Sequence, residues 1–188
     1  MRVIAGTARS LKLSAPKGTD VRPTTDRIKE TLFNILSPMI YDTRFLDLFC
    51  GSGGIGIEAL SRGAAHCVFV DNSQVSIECT KANLEHTKLA DRARIIRGEA
   101  DGVIRRLADE PFDMVFMDPP YGKLLEKKVL EQMAVYDILA EDGTVIVEAD
   151  AETEFDYLEG LGFEAYRVKS YGSNKHVFIR KLQSADAE

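Results

Sequence analysis

Phe45-Leu-Asp-Leu-Phe-Cys-Gly-Ser-Gly-Gly-Ile-Gly56 runs from a short apolar segment directly into four glycines within six residues. An apolar run of strand length, a glycine turn and then Ile57-Glu-Ala-Leu60 is the pattern of a strand that turns sharply into a helix. Side chains at such a turn would keep the backbone away from a ligand, while the helix start offers unpaired amides to a carboxylate or phosphate. A small anionic or zwitterionic ligand is therefore expected there. Gly51, Gly53 and Gly56 also satisfy the GxGxxG spacing, and Asp71, about twenty residues on, closes the next apolar run, where an acid can hold ribose hydroxyls.

Outward from this turn, apolar runs alternate with amphipathic stretches. Strands are expected at Phe45–Phe49, Cys67–Asp71, Ala93–Arg97, Phe112–Asp118, Thr144–Glu148, Glu164–Lys169 and His176–Lys181. Helices are expected at Asp26–Leu36, Gly54–Arg62, Gln74–Lys88, Ala100–Ala108, Leu124–Tyr136 and Thr153–Leu161. In the first of these, Ile28, Leu32, Ile35 and Leu36 share one face, with Thr25 or Asp26 as cap. Alternation of this kind builds a mostly parallel sheet covered by helices, an α/β fold. The last two strands are joined by only Ser170 to Lys175, too short for a crossover helix, so they should pair antiparallel. Ahead of the core, Arg2–Ala5 and Ser10–Leu13 read as a small β-hairpin around Gly6 and Thr7. The division expected is a basic N-terminal appendage at 1–23, one catalytic domain at 24–182 and a tail at 183–188.

The chain has 188 residues, 45% hydrophobic, enough for one continuous core. No run approaches the length needed to span a membrane and Met1 to Ala5 lack a secretory pattern, so a soluble cytoplasmic protein is expected. Cys50, Cys67 and Cys79 and the three histidines are scattered, which suggests neither disulfides nor a metal site. A net charge of −6 argues against nucleic acid only if spread evenly. Residues 1–30 hold seven bases against three acids, and residues 167–181 hold five bases and no acid. Two basic ends on an acidic body could meet phosphate.

The fourth predicted strand ends in Asp118-Pro-Pro-Tyr121. Ligands of open α/β sheets bind beyond the carboxyl ends of the strands, so this tetrapeptide and the glycine turn should face one crevice. An exocyclic base amine is a weak nucleophile because its lone pair is delocalised into the ring. Hydrogen bonds from that amine to the Asp118 carboxylate and a carbonyl near Pro119 would hold it facing a methyl donor, with Pro120 stiffening the turn and Tyr121 stacking on the base. Asp47, just before the glycines, suits the ammonium of a methionine group and would repel a pyrophosphate. S-adenosylmethionine is thus the expected cofactor. An adenine-specific methyltransferase acting on DNA or another RNA, and a nicotinamide oxidoreductase, remain as alternatives. Cys50 is expected to pack beneath the loop rather than act as a nucleophile.

On these motifs the chain resembles the RsmD-type 16S ribosomal RNA (guanine-2-amino) methyltransferases. The resemblance extends to Met1-Arg-Val-Ile-Ala-Gly6, to Arg22-Pro-Thr-Thr-Asp-Arg-Ile-Lys-Glu-Thr-Leu-Phe-Asn34 and to the whole of Asp47–Gly63. It implies a class I, Rossmann-like methyltransferase fold of seven strands with an N-terminal hairpin that helps grip RNA. It also implies that Asp47, Gly51, Ser52 and Gly53 hold the methionine part of the cofactor, Asp71 with Asn72 the ribose, and Glu99 with Ala100 the adenine. Glu99 stands where an aspartate is more usual. Thr24, Thr25 and Arg27 resemble the segment that closes over the cofactor, and Asp118, Pro119, Pro120 and Tyr121 the catalytic motif. Arg9, Lys12 and Arg22, on the basic N-terminal part, are the candidates for contact with ribosomal RNA.

Overall fold

In the computed structural model, residues 1–16, 25–108 and 111–183 are described. Seven strands, β1 (Arg44–Leu48), β2 (His66–Asp71), β3 (Ala93–Arg97), β4 (Phe112–Met117), β5 (Leu139–Asp150), β6 (Phe163–Ser170) and β7 (Asn174–Lys181), form one sheet in the order β3-β2-β1-β4-β5-β7-β6. The pairs β1/β2, β1/β4, β2/β3 and β4/β5 are parallel, and β7 runs antiparallel between β5 and β6. Strand order reverses between β1 and β4, which opens a crevice at their carboxyl ends.

The central strands are apolar on both faces because helices cover both. On one face Leu46, Leu48, Val68, Val70, Val115 and Met117 pack with α4 (Ala100–Ile104) and α5 (Leu125–Tyr136). On the other, Phe45, Phe69, Met114, Phe116, Ile146 and Phe178 pack with α1 (Asp26–Leu36), α2 (Gly54–Ser61), α3 (Gln74–Thr87) and the N-terminal residues Val3, Ala8 and Leu13. The N-terminal segment is therefore part of this core layer. Its hairpin is reduced to a single bridge, Arg2 to Lys12, supported by amide bonds from Val3 to the Leu11 carbonyl and from Ser10 to the Val3 carbonyl.

A buried charge cluster holds that segment down. Lys29 and Glu58, both fully buried, pair at 3.2 Å. The Glu58 carboxylate also accepts the amides of Ile4 and Ala5 at 2.8 and 3.0 Å and the Arg62 Nε at 2.7 Å, while Lys29 donates to the Arg2 carbonyl. This rotates α1 relative to the sequence expectation. Lys29, Leu32, Phe33 and Leu36 face inward, and Ile28 and Ile35 are only half-buried.

Two other elements differ from expectation. Residues 153–161 form turns and a 3-10 turn at Glu159–Leu161 instead of an α-helix. Lys175 takes the carbonyls of Ala151 and Thr153 at 2.8 Å each and so anchors the start of this segment to β7, while Leu158 packs into the sheet. The segment after Glu99 is α-helical only to Ile104 and finishes as a 3-10 turn at Arg105–Leu107.

Candidate active site

Leu48 and Met117 are paired in register, so Phe49 and Asp118 leave the sheet side by side. Beyond Leu48 the chain makes its turn with positive φ at Phe49 (59°), Gly51 (54°) and Gly53 (75°) before α2 begins. Glycine is required at Gly56 for another reason: a Cβ there would lie 2.3 Å from the Phe69 ring and 2.7 Å from Cys67 Sγ, so α2 could not sit this close to β2.

Acids and amides from neighbouring elements brace the turn. Asp47, almost fully buried, accepts the Gly56 amide at 2.8 Å. Asp71 accepts the Gly51 amide with one oxygen and the Ser73 amide with the other, each at 2.9 Å. Thr80 donates to the Gly51 carbonyl and Asn83 to the Ser52 carbonyl, both at 2.9 Å. Asp71 thus ties the glycine turn to the start of α3 with the same carboxylate expected to meet a ribose.

The site is electrostatically unusual. Burial, reinforced by Asp71 and partly offset by the Gly56 amide, pushes Asp47 up to about 7. Asp118 is pushed up to about 8, first by burial and then by the negative charges of Glu148 and Asp47. Tyr121 is raised to about 12 by burial and by Asp118, Glu148 and Asp150, with Asn174 bonding its hydroxyl. Its ring remains 48% exposed at the mouth, Pro119 is buried beneath, and Pro120 faces solvent. A crevice rich in carboxyl groups that cannot all ionise favours a positively charged ligand. Burial pushes the Cys50 thiol well up, and its sulfur contacts Thr80 Oγ1 at 3.7 Å, which fits packing beneath the loop.

Behind Asp118 stands a network that the sequence reading did not single out. Glu148 on β5 accepts Asn174 Nδ2 at 2.7 Å and lies 3.1 Å from His176 Nε2, and His176 Nδ1 lies 3.1 Å from the Tyr171 hydroxyl. His176 is fully buried, with Phe116 edge-on at 6.0 Å. The residues are far apart in sequence, and only the antiparallel register of β5 with β7, which sets Glu148 opposite His176, makes the pair visible.

On the other side of the glycine turn is a shallow cleft bordered by Phe49, Asp71, Asn72, Gly98, Glu99 and Ala100. Asn72 Nδ2 bonds Glu99 Oε1 at 3.0 Å across its rim, and Ala100 is buried at its floor. The structure thus brings Asp47, Gly51, Ser52, Gly53, Asp71, Asn72, Glu99, Ala100 and Asp118 to Tyr121 to the carboxyl end of β1, β2, β3 and β4. Thr25 caps α1 through its hydroxyl to the Ile28 amide at 3.3 Å, and Arg27 is exposed on the same helix. Arg9 and Lys12 are exposed on the N-terminal segment. Arg22 and Thr24 lie outside the described residues.

A seven-stranded sheet with β7 reversed between β5 and β6, and a glycine turn after β1, defines a class I methyltransferase fold. Residues 1–180 match the model of the family described as conserved hypothetical protein 95. YlbH of Bacillus subtilis, which carries the name of an rRNA methyltransferase, is 43% identical over 92% of this chain and 94% of its own. The Escherichia coli ribosomal RNA small subunit methyltransferase D is 36% identical over 81% of this chain and 76% of its own. The structure of yhhF from Escherichia coli, named for a methyltransferase, superposes with a TM-score of 0.82 at 32% identity, covering 97% and 99% of the two chains. SMU.776, whose structure was determined with SAH, shares the fold at 15% identity and a TM-score of 0.65, over 80% and 48%. The chain belongs to the conserved hypothetical protein 95 family, the family of the RsmD-type methyltransferases.

Methyltransferases of this class draw their methyl group from S-adenosylmethionine, and the crevice fits that donor. The buried carboxyl of Asp47 suits an ammonium, and nothing lies within 4 Å of where a Gly51 Cβ would be, so backbone is open to a ligand. Among the described residues no cluster of metal-binding side chains accompanies it.

Proposed function

We propose that this protein transfers a methyl group from S-adenosylmethionine to the exocyclic 2-amino group of a guanine in small-subunit (16S) ribosomal RNA. The observation that carries the reading is the placement of Asp118 one residue past Met117, beside the turn that follows Leu48, with Tyr121 open at the mouth. When bound, the cofactor supplies an electrophilic methyl group. The Asp118 carboxylate and the Pro119 carbonyl accept hydrogen bonds from the amine and aim its lone pair, while Tyr121 stacks on the extruded base. Asp118, whose affinity for a proton is raised by its surroundings, takes the proton that the methylated nitrogen loses. Asp47 and the Gly51–Gly53 turn hold the methionine end, Asp71 and Asn72 the ribose, and Glu99 with Ala100 the adenine, with Thr24, Thr25 and Arg27 closing over the cofactor. Family membership supports ribosomal RNA as substrate, and Arg9, Lys12 and Arg22 are assigned to grip it.

The roles separate kinetically. Asp118→Ala abolishes turnover of unmodified small subunits or their naked RNA with cofactor affinity nearly intact, whereas Asp71→Ala chiefly weakens cofactor binding. A folded Asp118→Ala variant that loses cofactor affinity and turnover together contradicts this assignment.

A further inference from the structure

We propose that the outer face of β6 and β7, built by Tyr166, Arg167, Lys169 and Arg180, is an RNA-backbone surface that holds the strand flanking the target base. The proposal rests on the ribosomal RNA reading above. In register, Lys169 lies opposite His176 and Arg167 opposite Phe178. These cations therefore share the sheet face of Phe116, Phe178 and His176, and His176 leads through Glu148 to Asp118. Lys169 lies toward the carboxyl end of β6, the end of the sheet that carries the crevice, and Arg180, opposite Glu164, lies toward the other end.

Among the described residues no helix screens this face of β6: Ala165 to Ser170 are all exposed. The Arg167 guanidinium sits 5.8 Å from the centre of the Phe178 ring, Arg180 sits 5.4 Å from that of Tyr166, and the Tyr166 and Phe178 rings are 6.2 Å apart. Arginines laid on aromatic rings are pre-organised and keep their donors outward, the disposition that favours bidentate contact with phosphate. Arg180 pairs with Glu164 at 2.8 Å, but both side chains are about two-fifths exposed, so the pair is weak and can be exchanged. Lys175 and Lys181 belong to the opposite face, where they bind the carbonyls of Ala151 and Thr153 and the Asp137 carboxylate. Arg167 and Lys169, two residues apart on one strand and so ~7 Å apart, can meet separate phosphates of one chain. In a protein of net charge −6, two cations and an exposed tyrosine on the open face of β6, with Arg180 beside them on β7, match the chemistry of a polyanion carrying stackable bases.

The double variant Arg167→Gln/Lys169→Gln tests this by anisotropy with a ribosomal RNA fragment across a salt series. Loss of two phosphate contacts to single-stranded RNA lowers the slope of log K against log salt by about 1.4 and weakens binding roughly tenfold or more at low salt. Cofactor affinity stays unchanged. Arg105→Gln/Arg106→Gln, which removes two exposed cations from the opposite face, leaves the slope as in the wild type. An unchanged slope in the Arg167/Lys169 variant, with wild-type protein binding RNA, overturns the proposal. So does an unchanged slope joined to self-association of that variant in sedimentation, since the cations would then guard a strand edge against a second copy. A wild type with no affinity for the fragment at any salt sinks the RNA reading itself.

Discussion

Replacing Asp118 by asparagine should stabilise the cofactor-free protein while destroying its activity. An aspartate with an ordinary value of 3.8 in the unfolded chain and about 8 in the fold binds its proton more tightly when folded. Its contribution to stability is therefore most favourable below pH 4 and is lost progressively as pH rises to about 8. At about 1.4 kcal/mol for each unit, the loss amounts to a few kcal/mol by neutral pH and levels off above pH 8. Asparagine keeps the shape and carries no such linkage. Thermal unfolding of the two proteins without cofactor should accordingly diverge with pH, with the variant melting several degrees higher at pH 7 and the difference vanishing near pH 4. The pattern is that of a site whose catalytic carboxyl is held ready to take a proton at the expense of the empty fold. A difference that is flat with pH, or a variant less stable at pH 8 than the parent, would refute the electrostatic description of the crevice.

Lys29→Met removes one of the two cations that neutralise the buried Glu58 and leaves Arg62 as the other. It should cost about 1–3 kcal/mol in urea unfolding, and the N-terminal amides of Ile4 and Ala5 should lose hydrogen-exchange protection; unchanged protection contradicts the staple. Gly56→Ala forces a methyl into the Phe69 ring and should cost about 1–3 kcal/mol while loosening the glycine turn, read as a lower midpoint together with a weaker cofactor affinity. Cys50, with its thiol pushed up by burial, should react with iodoacetamide at neutral pH far more slowly than Cys79, whose rise is smaller and whose side chain is partly exposed. Fast labelling of Cys50 would show that the turn opens.

Much of this was legible from local pattern. Each strand was placed to within a residue or two except β5, which begins at Leu139 because an irregular stretch joins the Phe112 to Leu139 pairing to the regular register at Thr144. The glycine turn and Asp118 were found because their chemistry lies within a few consecutive residues. What escaped was set by contacts between distant residues. Nothing local marks Lys29 as buried, because its partner Glu58 lies on another helix, and the Lys175 contacts that anchor residues 151–153 come from more than twenty residues away. Nothing local marks Glu148 and His176 as partners, since only the fold lays β7 beside β5 with its histidine against Glu148. The basic run near the chain end was visible as composition, but only strand alternation sorts Arg167 and Lys169 from Lys175 and Lys181.

One site for the donor and the target base is tested most directly by finding where the methyl group goes. Small subunits lacking the modification, incubated with the protein and isotopically labelled S-adenosylmethionine and then digested to nucleosides, should yield label as N2-methylguanosine at a single position of the 16S RNA. Label on an adenine, label in duplex DNA supplied alongside, or a folded, cofactor-bound protein that labels nothing would contradict it.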